Sequence, residues 1–249
     1  MRFNLPLYSY VFFIFIFTSC FTDVPEVEVN SSYQSNIIIS NENHLAFPDI
    51  IEYNDTWYVS YRESDAHVNG TFSKIIVLKS NDFLIWEQCN IFELPGYDLR
   101  DPKFSYNEMT DSLYLHFHIT NENGTLSKEY GSERKNIYVE FDKLKNIFNE
   151  KEYQELKQAP NFPNYWLWRP YWYNNKLYVG GYKTGTVNLL KYESINSVPI
   201  IISQIIGDGI GESTLSVYNN KMYILSRRRD DALFSVLPVK MDSIKKIKN

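Results

Sequence analysis

The chain is patterned as short runs in which apolar and polar residues alternate, and pairs of these runs meet at asparagine- or aspartate-rich dipeptides. Residues 213–218 (STLSVY) alternate, Asn219-Asn220 follow, and Met222-Tyr223-Ile224-Leu225 resume the run. Alternation of period two predicts a strand, and two such runs around a two-residue Asn/Asp pair predict a tight hairpin. The unit recurs at 47–53, Asn54-Asp55 and 57–62, and again at 169–173, Asn174-Asn175 and 177–182. A looser copy starts at Arg100, turns between Asn107 and Asp111, and returns over 113–118. Further strands are expected at 37–39, 73–78, 137–141, 187–192 and 199–206. The charged stretch Lys143 to Ala159 is expected to form a short surface helix.

The turns fall near positions 54, 109, 174 and 219, a spacing of 45 to 65. Repetition at roughly 40–50 residues, stretched by loops, is the signature of propeller blades of four strands each. An all-β β-propeller over residues 37–249, with about four blades visible and the last lacking its outer strands, is the expected fold. Tyr (20) and Phe (16) supply much of the 44% apolar content, which favours strands over helices. The net charge of −5 is dispersed in both signs, so no basic patch marks a nucleic-acid partner.

The first residues read differently. Arg2 precedes the unbroken apolar run Val11 to Phe17, which ends in Thr18-Ser19-Cys20. The run is short for a membrane-spanning helix and fits the apolar region of an export signal. Phe17-Thr18-Ser19-Cys20 resembles a bacterial lipobox. That resemblance implies a signal peptide over 1–20, lipidation of Cys20, and a membrane-anchored lipoprotein of the cell envelope, with 21–36 as a polar tether. Cys89 is then the one cysteine left, and neither zinc nor iron–sulfur spacing occurs. No metal or cofactor is expected.

In a propeller the inner strand starts on the face where the second strand ends. This rule gathers Asp49, Arg100, Asp101, Arg169 and Glu212 with Arg62, Glu63, His116, His118, Tyr182, Arg227 and Arg228. The loop after the first hairpin adds Asp65 and His67. Guanidinium groups pair bidentately with carboxylates and aromatic faces stack on sugar rings, so the face suits a glycan with a carboxylated sugar. On the blade's outer edge, Ser80-Asn81-Asp82 is followed four residues later by Trp86, and this turn is expected to be structural.

That last turn resembles the Asp-box of sialidases, without its glycine. Residues 44–67, Leu99-Arg100-Asp101-Pro102-Lys103, 166–170 (WLWRP) and 211–228 together resemble the six-bladed sialidase superfamily, in particular sialidase-like bacterial lipoproteins. The resemblance spans about residues 40–235. It implies an exo-acting glycoside hydrolase in which Glu212 is the base partner and Arg227 a sugar-carboxylate ligand, with Asp65 nearest the acid/base position. The family opens its first blade with Arg-Ile-Pro where this chain has Ala46-Phe47-Pro48. Arg62, Arg100 or Arg169 stands in for the missing arginine. The family's tyrosine nucleophile lies in later blades, and the chain is expected to be a truncated domain.

Two other readings stay open. Asp49, Asp101 and Glu212 lie near inner-strand starts on three blades, as in propeller furanosidases that work with carboxyl groups. The same face could also bind glycans without cleaving them.

Overall fold

The computed structural model describes residues 37–67, 71–121, 134–183, 185–206, 210–219, 221–228 and 234–240. The expected signal peptide, Cys20 and the tether therefore lie outside the described residues, as does most of the polar stretch 121–135. All described regular structure is antiparallel β. The first sheet is β1 (His44–Tyr53), β2 (Thr56–Ser64), β3 (Ser73–Ser80) and β4 (Glu87–Phe92) in that order. The second is β5 (Tyr97–Asn107), β6 (Ser112–Asn121), β7 (Arg134–Asp142) and β8 (Ile147–Phe148), with β9 (Gln154–Glu155) also on β7. The third is β10 (Trp166–Tyr173), β11 (Lys176–Lys183), β12 (Thr186–Tyr192) and β13 (Ile200–Ile206). The fourth is β14 (Ile210–Tyr218), β15 (Lys221–Arg228) and β16 (Phe234–Lys240).

Each sheet is one blade, and the inner strands β1, β5, β10 and β14 stand side by side in chain order. Among the described residues no packing of that extent joins β14 back to β1, so the four blades make an open arc. The core lies between blades because a strand turns successive side chains to opposite faces. Leu177 and Val179 of β11 pack with Tyr114 and Tyr138 of the second blade, whereas Tyr178 packs with Leu215 and Ile224 of the fourth. Strands buried on both faces read as aromatic and aliphatic runs. That accounts for the chain's wealth of tyrosine and phenylalanine.

The hairpin turns form as expected. Asn54, Asp55, Asn174 and Asn175 all have positive φ, between 50 and 58°, the geometry of a type I′ turn. These turns share one end of the arc, where Asn107 bonds Asn175 and the Tyr53 hydroxyl donates to the Asp111 carbonyl. The Asp82 turn sits at the same end. Asp82 Oδ1 accepts the amides of Leu84 and Ile85 at 2.8 and 3.0 Å, and Ser80 Oγ accepts that of Phe83. Phe83 takes the left-handed φ of 62° in the absence of a glycine, its ring packed between Trp57 and Trp86.

Two expectations fail. Residues 37–39 form no strand, and β1 begins at His44. Residues 143–159 form no helix. Asp142 caps a turn through the amides of Leu144 and Lys145, and Phe148 and Leu156 are then buried in two different inter-blade cores. Those two anchors, eight residues apart, hold the segment extended.

Candidate active site

The opposite end of the arc, its mouth, holds an irregularity that recurs in all four inner strands. Pairing with the second strand slips between Ala46 and Asp49, between Arg100 and Lys103, between Trp168 and Tyr171, and between Ile210 and Ser213. In each case two residues oppose one, which is a β-bulge. Bulges bend a strand and re-aim its side chains. The pairs are Phe47-Pro48, Asp101-Pro102, Arg169-Pro170 and Gly211-Glu212. Phe47, Asp101 and Arg169 have φ of 56, 51 and 41°, a left-handed conformation that side chains other than Asn, Asp or Gly rarely adopt. Proline follows naturally in three of the four, because a bulge leaves an amide without a ladder partner.

The bulges correct the alignment of the acids. Asp101 is the first bulge residue of its blade, Glu212 the second of its own, and Asp49 the first residue after the bulge, opposite Ser60. The three sit at successive levels rather than at one. Asp49 is buried and fully engaged: Oδ2 accepts the Phe104 amide at 2.8 Å, and Oδ1 accepts Arg169 Nη2 at 2.7 Å. Arg169 thus reaches from the third blade to the first, with its side chain still 41% exposed.

Asp101 is set apart. Its carboxyl is buried, Oδ2 accepts Trp166 Nε1 at 2.8 Å, and Oδ1 has no partner. Burial pushes its pKa up to about 6, against the pull of Lys103, Trp166 and Arg100, and Glu212 adds a smaller push upward. Glu212 lies close enough to be felt and is itself ion-paired to Arg227, which is half-exposed. Tyr182 completes the group. Burial first, then the charges of Glu212 and Asp101, raise its phenol to about 12. Gly180 lets the fourth blade come this near, since a Cβ there would collide with Ser213 Oγ.

Trp166 is held from two sides. The His118 ring lies 4.2 Å away, centroid to centroid, and the Arg134 guanidinium lies 5.1 Å from the indole centroid. His118 bonds the Leu167 carbonyl at 2.6 Å and His116 bonds Ser105 Oγ at 2.7 Å. Burial drives both imidazoles down to about 3, so they are neutral supports.

Other expected site residues are placed elsewhere. Arg62 has no exposed surface: it donates to the carbonyls of Leu99 and Ala66 and pairs with Asp98 at 2.9 Å. Arg100 binds the other oxygen of Asp98 at 2.6 Å. A buried charge is retained only when it is paired, so Arg62 serves the fold and is no substrate ligand. Asp65 is exposed, but both its oxygens accept from Thr71, whose bonds hold its pKa low. It closes a loop and is not poised as an acid. His67 meets His44 at 3.3 Å beside Phe47, outside the Asp101–Glu212 group. Among the described residues no cluster of His, Cys, Asp and Glu could hold a metal. A concavity of about 440 Å³ lies at the turn end, lined by Thr56, Lys79, Asp82 and Asn146 among others. Asp82, one of its two carboxylates, is taken up by turn amides, and the other is Glu87.

Sequence reasoning passed over Trp166, Lys103 and Asp98. The recurring Phe-Pro, Asp-Pro and Arg-Pro pairs were the available signal for the bulge register, and with it for which residue of each blade is re-aimed.

No family model matches the chain, and no curated protein does. Solved structures match in fold. The Hadza microbial sialidase Hz136 superposes with a TM-score of 0.63 at 12% identity, over 79% of this chain and 44% of its own. An α-L-arabinanase of Penicillium chrysogenum, complexed with arabinobiose, gives 0.61 at 13%, over 80% and 58%. The sialidase of Trypanosoma rangeli, in complex with sialic acid, gives 0.58 at 14%, over 79% and 36%. The chain spans less than two thirds of the length of each. It has the β-propeller fold found in sialidases and arabinanases.

Proposed function

We propose that the chain is a glycoside hydrolase acting at the mouth of the propeller on a terminal sugar of a glycan, with Asp101 as general acid and Glu212 as its carboxylate partner. One observation carries the reading: a buried carboxyl with its pKa raised to about 6 and one oxygen without a partner, Asp101, within electrostatic reach of a second carboxylate, Glu212. Glycosidic cleavage uses a pair of carboxyl groups, one of them an acid with a raised pKa. Asp101 gives its proton to the leaving oxygen. Glu212 either takes a proton from the attacking water or attacks the sugar itself. The exposed parts of Arg169 and Arg227, beyond their pairs with Asp49 and Glu212, suit a carboxylate on the sugar, and Trp168, half-buried and next to Arg169 in sequence, suits its ring.

The arginines favour this chemistry over the sialidase type. Arg62 and Arg100 are committed to Asp98, Arg169 to Asp49 and Arg227 to Glu212, so no open arginine triad gathers among the described residues. Tyr182 beside Glu212 offers a tyrosine–glutamate pair, but its phenol, raised to about 12, is the reverse of an activated nucleophile. Export and anchoring through Cys20 remain part of the proposal and rest on residues 11–20 alone. Metabolic labelling with a fatty acid, lost in Cys20→Ser, tests them.

The function is tested by release of a fluorescent aglycone from sialosides, uronides, arabinosides, fructosides and galactosides. Turnover of one class, abolished in Asp101→Asn and Glu212→Gln, is the expected result. No turnover by protein of native circular dichroism and cooperative melting would overturn it in favour of glycan binding without cleavage.

A further inference from the structure

Lys103 is a buried lysine that the proposed chemistry leaves unused. It follows the bulge of the second blade, two residues after Asp101, and its ammonium donates to the carbonyls of Pro102 at 2.9 Å and Phe47 at 3.2 Å. The ammonium stands 5.4 Å from the centre of the Trp168 ring. Neither Asp101 nor Asp49 forms an ion pair with it, although both carboxylates and Arg169 lie near enough to act on its charge. Two carbonyls and an indole face make a cradle for a cation. Backbone dipoles and a ring quadrupole stabilise its charge without neutralising it. Burial lowers the pKa of Lys103, and Asp49 and then Asp101 oppose that shift; a charge in a water-poor setting acts on its neighbours far more strongly than one at the surface.

We propose that Lys103 is a positioning residue that governs how readily Asp101 gives up its proton. The inference rests on the hydrolase reading for its purpose, but not for its physical content. The groups around Asp101 and Lys103 come from several elements: Arg100 and Lys103 on β5, Asp49 on β1, His118 on β6, Arg134 on β7, Arg169 on β10 with the hydrogen-bonding Trp166, Tyr182 on β11 and Glu212 on β14. Burial and Glu212 favour the neutral acid, and Lys103 is the strongest single counterweight, ahead of Arg100. A cation held to carbonyls, near the acid but not bonded to it, offsets part of that preference. His118 is neutral and does not disturb it.

The Trp166 indole N–H donates to Asp101, so its resonance in ¹⁵N-tryptophan-labelled protein reports the protonation of that carboxyl without any substrate. Trp166→Phe assigns the signal, and Asp101→Asn abolishes its titration. Lys103→Gln keeps two donors for the carbonyls and removes the charge. It should move the midpoint up by about one pH unit, and the alkaline limb of kcat/KM should follow by the same amount. Lys103→Arg should leave both near their original positions. If Lys103→Gln does not fold, Lys103→Met, which keeps the stem over Trp168, is read the same way. An unmoved midpoint in a folded, uncharged variant overturns the proposal. A moved midpoint in a protein that hydrolyses no glycoside upholds Lys103 and sinks the hydrolase reading; hydrolysis with an unmoved limb does the reverse.

Discussion

The two ends of the same strands solve the same backbone problem with different residues. At the turn end, left-handed φ falls to Asn54, Asp55, Asp111, Asn174, Asn175 and Asn219, side chains for which that conformation is cheap, with Phe83 the exception. Some contacts there are local, as in the Asp82 and Asp142 turns, and others, Asn107 to Asn175 and Tyr53 to Asp111, cross between blades. At the mouth the same φ falls to Phe47 and Arg169 as well as Asp101. The partners there are distant in sequence: Arg169 to Asp49, Trp166 to Asp101, Lys103 to Phe47. The turn end is satisfied, whereas the mouth retains strain and an unpaired carboxyl oxygen. Strain and unmet polarity that persist where the rest of the fold relieves them mark a working surface.

The sharpest way to break that contrast is Asp101→Asn. It should lower kcat by roughly 100- to 10,000-fold, the range for loss of a general acid or base. The same change should stabilise the protein at pH 8. The folded pKa of Asp101 is raised above its unfolded value, so its contribution to stability is fully present below pH 3.8 and lost as pH rises through about 6. A rise from 3.8 to about 6 corresponds to about 3 kcal/mol. Thermal melting of Asp101→Asn should therefore exceed that of the unmodified protein at pH 8 and match it near pH 4. A variant equally or less stable at pH 8 would mean that the carboxyl is not held against its preference.

Activity against pH comes next. With Asp101 as the acid, kcat/KM should fall as pH rises through about 6, where the proton is lost. An alkaline limb unchanged in position by Lys103→Gln would count against the local electrostatics described above. Arg169→Ala should raise KM about tenfold for a carboxylated sugar, one charge-assisted contact, with less effect on a neutral one. A loss shared equally by both sugars would reduce Arg169 to a clamp on Asp49.

At the turn end, Asn174→Ala should cost about 1 kcal/mol through its left-handed φ and leave kcat untouched. Smallest of all, Asp65→Asn should change kcat hardly at all, since Thr71 occupies both carboxylate oxygens. A large loss there would restore Asp65 as the acid and undo the assignment of Asp101.

Some of this was readable in the chain and some was not. Alternation and Asn/Asp pairs are local signals, which is why the hairpins, their ends and the Asp82 turn emerged where expected. The expected helix at 143–159 failed because its anchors, Phe148 and Leu156, are drawn into separate cores that no local pattern announces. Arg62 and Arg169 look alike as strand-end arginines, yet one is sealed beneath Asp98 and the other spans two blades. Their difference depends on residues 36 and 120 positions away.

By itself the sequence determined the strands, their turns, the blade repeat and the end of the arc at which charged groups collect, because each depends on neighbours within a hairpin. Only the tertiary structure decided which of those groups are free. The bulges shift Asp49, Asp101 and Glu212 to different levels, and burial and charge then act through space, so that Asp49 is bonded into the frame while Asp101 is left with a raised pKa and one buried oxygen without a partner.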